Sequence, residues 1–147
     1  MKTQEFIKYE IPELLKSSEL KGNNQKKILV VLNEDLIPLL SHQDHLLAKI
    51  LKAVNIDFPN DIYLLSLLEG ASKTIIPMIN DGEIESILLF GIHPKQISFQ
   101  IAAPKYYPIK IQTVSLLVSD ELSTIEKDQL LKKQLWTGLQ HLFPKEV

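Results

Sequence analysis

The chain has 147 residues, 45% hydrophobic and 23% charged, which are the proportions of one folded domain and exclude a largely disordered chain. Its cations are sixteen lysines and no arginine, against 18 acidic residues, for a net charge of -2. That balance gives no footprint for nucleic acid and no bidentate guanidinium for phosphate or guanine.

The absence of cysteine excludes disulfides, thiolate metal sites and a cysteine nucleophile. Apolar runs such as 62–68 fall far short of the ~18 residues of a membrane span. The mixed Lys/Glu N-terminus is unlike a signal peptide. A cytoplasmic protein without a membrane segment is expected.

In chain order, residues 1–25 read as an N-terminal arm and 26–147 as a single α/β domain. In the arm, Phe6, Ile7, Tyr9, Ile11, Leu14 and Leu15 fit no one period, and Pro12 breaks any long helix. It closes in the polar stretch SELKGNNQ. Either the arm packs on the domain surface, or it docks on another protein through a loose tether.

KILVVL (27–32) is a continuous apolar, β-branched run, the pattern of a strand buried on both faces. Leu46, Leu47, Ile50, Leu51 and Val54 then recur at helical spacing, with Ser41 as the expected N-cap and Asp44 in the first turn. Pro59-Asn60-Asp61 ends this unit before a second strand, 62–68. A short helix over 72–79 contains Pro77 and is expected to be weak or kinked, and Asp81-Gly82 punctuates it.

A third strand spans 86–92, and 97–103 is a short strand or a loop. Pro104 and Pro108 flank a turn before the last strand, 110–119. Ser123 and Glu126 match a capping box opening a helix with Leu131, Leu135, Trp136, Leu139, Leu142 and Phe143 on one side. Strands alternating with helices predict an α/β fold. It should have three α/β/α layers around a short, mainly parallel sheet of about four to five strands.

Ligands of such sheets bind beyond the carboxyl ends of the strands. Here those ends are acidic: Asn33-Glu34-Asp35, Glu69-Gly70, Gly91-Ile92-His93-Pro94 and Ser119-Asp120-Glu121, with Lys95 the one nearby cation. Five glycines form neither a dinucleotide fingerprint nor a P-loop, so nucleotide binding is not expected. Asp35 and Asp120 could face each other as acid and base, but carboxylates also collect at strand ends and helix starts for dipole reasons.

His42 and His45, three apart, could present two imidazoles to one side, yet no third ligand accompanies them. His93 is a pocket residue or a turn residue held by Pro94. Trp136 is a core or half-buried residue of the last helix, or an anchor for a partner. No cofactor and no metal are expected.

Residues 30–56 (VVLNEDLIPLLSHQDHLLAKILKAVNI) and 114–144 (VSLLVSDELSTIEKDQLLKKQLWTGLQHLFP) resemble the psi subunits of bacterial DNA polymerase III. The shared features are a buried strand, an Asn/Asp pair, L-x-P-x-L and an amphipathic helix, then a strand, a Ser-started loop and a helix with a Leu-Trp pair and closing Phe-Pro. Psi subunits link the clamp loader to a chi partner, and their fold resembles uracil-DNA glycosylases. In active glycosylases a water-activating acid or amide follows the first strand and a His-containing loop follows the last. The corresponding slots here are Asn33-Glu34-Asp35, without the Gly-rich motif, and Ser119–Ser123, without a histidine.

The resemblance therefore implies a glycosylase-like scaffold acting as a non-catalytic adaptor, and the lack of arginine argues against direct contact to nucleic acid. Its expected partners are clamp-loader and chi-like subunits. Its expected partner-binding residues are Phe6, Ile7, Tyr9, Ile11, Leu14, Leu15 and Trp136. The alternatives are a glycosylase-fold enzyme with an altered site using Asp35 and His93, or a small-ligand or oligomerisation domain.

Overall fold

A computed structural model describes residues 13–42 and 44–144. Its strands are β1 (Glu13–Leu14), β2 (Ile28–Leu32), β3 (Ile62–Ser66), β4 (Lys73–Thr74), β5 (Ser86–Phe90), β6 (Ile109–Ile111) and β7 (Val114–Ser119). Its helices are α1 (Leu36–Ser41), α2 (Leu46–Ala53), α3 (Ile76–Asn80), α4 (Leu122–Glu126) and α5 (Gln129–Leu142).

The main sheet has five strands in the order β3-β2-β5-β7-β6. All neighbours are parallel except the β6–β7 pair. β2 lies inside the sheet, so all five of its residues are buried, which is why it reads as an unbroken apolar run. Alternation divides it: Ile28, Val30 and Leu32 enter one core, Leu29 and Val31 the other. The first core takes Leu47 and Leu51 from α2, Leu122 and Ile125 from α4, and Leu135 and Leu139 from α5. The second takes Ile75, Ile79, Ile97 and Phe99, and its cover is thinner: α3, a 3₁₀ turn at Pro94–Ile97 and irregular chain. These are the three expected layers.

The arm's described residues belong to this structure. β1 pairs in parallel with β4, and Leu15 and Leu20 pack against the second core. Lys21 and Leu64 exchange backbone hydrogen bonds of 3.0 and 2.7 Å, and the amides of Asn24 and Lys26 donate to the carbonyls of Ile62 and Asp61. Residues 21–26 thereby cover the outer edge of β3, where unpaired strand groups would otherwise invite another chain. Phe6, Ile7, Tyr9 and Ile11 lie outside the described residues.

Several elements differ from expectation, each for a local reason. Ser41 is the last residue of α1 and not the N-cap of the next helix. Asp35 caps α1 by accepting the Ile37 amide at 3.1 Å, and His45 caps α2. Asp44 precedes that cap and pairs with Lys49 at 3.2 Å. Residues 73–74 pair with β1, so only 76–80 are helical. Pro77 then falls in the first turn, where a missing amide costs little.

The expected strand 110–119 is a hairpin. Gln112, at φ 54, turns the chain between β6 and β7. Residues 97–103 contain no strand. The Ser123/Glu126 capping box is not formed, because both residues lie within α4, which Glu121 precedes without a side-chain cap. Asp128 instead opens a second helix, its carboxylate accepting the amides of Leu130 and Leu131 at 2.9 and 3.3 Å.

Candidate functional site

The chain leaves β2 toward β3 over one face and leaves β3 toward β5 over the other. The strand order therefore reverses between β2 and β5, which is where ligand crevices of such sheets form. Beyond those carboxyl ends lies a cleft of about 530 Å³. Asn33 from the β2 loop, Gly91 to Pro94 from the β5 loop, Ser119 to Glu121 from the end of β7, and Thr124 of α4 line it. Ala102, Ala103 and Lys105 close the remaining side.

Gly91 allows these loops to meet. Its φ is +72, and a Cβ there would lie 2.8 Å from Asn33 Nδ2 and 2.8 Å from Glu121 Cβ. Asn33 Nδ2 donates to Glu121 Oε2 at 3.1 Å, joining the ends of β2 and β7 across the glycine. The Ser119 hydroxyl is buried and donates to the Leu89 carbonyl at 2.8 Å, tying β7 to β5.

The strongest polar cluster centres on Asp120. Oδ1 is 2.6 Å from Lys105 Nζ, and Oδ2 accepts the Tyr106 hydroxyl at 2.5 Å. The Tyr106 oxygen in turn accepts the Asp120 amide at 3.2 Å. Burial works to raise the Asp120 carboxyl, but the Lys105 ammonium and Tyr106 hydroxyl more than reverse it and leave it below its ordinary value. Burial, and then the hydrogen bond to Asp120, push the Tyr106 phenol well above its ordinary range. Asp120 is thus held as a carboxylate with both oxygens engaged, an arrangement that fixes the loop and disfavours proton uptake.

Glu34 behaves oppositely. Burial first, then the carboxylates of Glu121 and Glu126, raise its carboxyl above the ordinary value.

The structure separates Asp35 from Asp120. Asp35 caps α1 and does not line the cleft, whereas Asp120 does. His93 lines the cleft and also caps the 3₁₀ turn, its Nδ1 accepting the Lys95 amide at 3.1 Å while its own amide donates to Gln96 Oε1. The cleft's cation is Lys105 rather than Lys95, which lines a separate depression with Gly70, Ser72 and Ser98.

Sequence reasoning missed Lys105 and Tyr106. Their one local signal is the Lys-Tyr-Tyr triplet held between Pro104 and Pro108. His42 is the C-cap of α1 and His45 the N-cap of α2, and among the described residues no group of three or more His, Asp or Glu could hold a metal ion. No described helix is long and apolar enough to cross a membrane.

The remaining expected partner-binding residues diverge. Leu14 is 63% exposed, whereas Leu15 is half-buried in the second core. Within the Leu-Trp pair of α5, Leu135 is fully buried and Trp136 is 45% exposed. Leu130, the second residue of the same helix, is 62% exposed. No protein-family model matches the chain, and no curated protein matches it.

Proposed function

We propose that this chain is a non-catalytic adaptor of the kind that psi subunits of bacterial DNA polymerase III exemplify, joining a clamp loader to a chi-like replication protein in the cytoplasm. The observation that carries the reading is Trp136, whose ring stands out from α5 beside a neighbour sunk fully in the core. Trp is the side chain most often found as an energetic anchor at protein interfaces, because it buries a large apolar area at little entropic cost. Leu14 supports it from the other end: the arm is fastened by Leu15 and Leu20 and leaves Leu14 facing outward. The cleft fits a scaffold, since Asp120, Glu121, Asn33 and Ser119 each hold neighbouring loops or strands together. Asp35 and His93, on which an enzymatic reading would rest, cap a helix and a 3₁₀ turn.

The test is affinity capture with the full-length chain from extract of its own cells, read by mass spectrometry. Deletion of 1–24 would strip the strap over β3, so the variant to compare is deletion of 1–12. Clamp-loader or single-strand-binding components should be recovered, Trp136→Ala should lose one partner, and the 1–12 deletion should lose the other. Recovery of no replication protein, with the bait folded by circular dichroism, refutes the adaptor reading. Base release from uracil-containing DNA that vanishes in Asp35→Ala would replace it with an enzyme.

A further inference from the structure

One imidazole joins α1 to α2. His45 Nδ1 accepts the Ala48 amide at 3.2 Å as the N-cap of α2. A backbone amide can only donate, so Nδ1 is unprotonated and Nε2 carries the ring proton. Nε2 is 3.0 Å from the Leu39 carbonyl in α1, the acceptor that this tautomer requires. The ring also meets Phe58 edge-on, with centroids 4.8 Å apart and planes at 84°, and Phe58 is buried in the first core. Neutral imidazole therefore satisfies three neighbours, one on each helix and one in the turn that follows α2.

We propose that His45 is a proton-sensitive latch between α1 and α2. A proton taken from solvent onto Nδ1 replaces the acceptor with a donor facing the Ala48 amide. The cap is lost, and the charged ring is left between Leu39 and Phe58. Asp35, the N-cap of α1, stands two residues beyond Asn33 of the cleft, so release of this joint frees one lip of the strand-end cleft.

The surrounding charges do not prevent this. α1 contributes no ionisable residue, and His42 after it is exposed. Lys49 and Lys52 stand on α2, with Lys49 paired to Asp44, and Asp57 precedes Phe58. Burial lowers the His45 ring below its ordinary value, and the hydrogen bond to Leu39 and the charge of Asp44 offset this only in part. Because the folded value is depressed, the latch is intact above pH 6.5. It is lost progressively as pH falls from there through the folded value.

Amide hydrogen exchange on the full chain between pH 8 and pH 5, normalised to intrinsic rates, tests this. Protection of Ala48 and of the His42 amide at the end of α1 should fall roughly five- to thirtyfold toward pH 5, while β2 and β5 stay protected. In His45→Asn, which keeps a capping acceptor without a titrating ring, protection should not vary with pH. Wild-type protection that is flat with pH, or a variant that loses it as wild type does, overturns the latch. Should the variant not fold, the ring nitrogens of wild-type His45 can be titrated by NMR. A pKa at or above 6.5, or a proton on Nδ1 at pH 8, overturns it equally.

Discussion

Gly138 gives the sharpest test of the packing. It sits within α5, where alanine would normally stabilise by about 1 kcal/mol. Here a Cβ would lie 2.8 Å from the Tyr106 carbonyl oxygen and 3.2 Å from Leu117 Cδ1. The carbonyl cannot easily retreat. Tyr106 has φ 65, its amide donates to the Val118 carbonyl at 2.7 Å, and its hydroxyl is held by Asp120. Overpacking against a backbone atom at this distance falls in the upper part of the usual range, about 2–3 kcal/mol, which outweighs the gain in helix propensity.

Gly138→Ala should therefore destabilise by about 1–2 kcal/mol and lower Tm by roughly 2–8 °C. Urea unfolding with an unchanged slope is the assay, and Thr137→Ala on the exposed side of the same helix is the control. Tyr106→Phe releases the hydroxyl anchor and by itself costs about 1–2 kcal/mol, because Asp120 loses a partner. On that background Gly138→Ala should cost less, since the carbonyl can then move. A Gly138→Ala protein as stable as wild type, or more so, refutes the argument that the 105–106 segment is pinned against α5.

Two further outcomes follow from the corrected caps and the cleft charges. Asp128→Ala should cost about 1 kcal/mol in chemical denaturation, because its carboxylate holds two amides of α5, whereas Ser123→Ala should change stability by less than about 0.5 kcal/mol. The Glu34 carboxyl is raised, so the folded state binds its proton more tightly than the unfolded chain, and ionisation destabilises as pH rises through the folded value. Glu34→Gln should therefore be more stable than wild type at pH 7. That advantage should be gone below pH 4.5, and an advantage independent of pH in thermal melts would contradict the charge repulsion.

The strands and their layering were legible in the chain because their signal is local. A residue in β2 or β5 must be apolar whichever face it meets, and Ile28–Leu32 and Ile87–Phe90 are apolar throughout. Helix existence was legible from the spacing of Leu46, Leu47, Ile50 and Leu51, but helix ends were not. Several residues could cap each start, and tertiary packing chose Asp35, His45 and Asp128 over Ser41 and Ser123. The strand-end cleft was foreseeable in place, from topology, and its acidic members stood at the expected strand ends.

What only the tertiary structure decided is which distant groups complete that cleft and which helix face stays outside. Lys105 and Tyr106 reach Asp120 across 14–15 residues of chain, through a turn that carries no periodic signal. Trp136 follows a fully buried leucine in sequence, yet the rotation of α5 on the sheet turns its ring half into solvent. Hydrophobic period reports that a side chain is apolar and how often it recurs. It does not report how far a helix is rolled on its sheet, and that roll separates a core tryptophan from an exposed one.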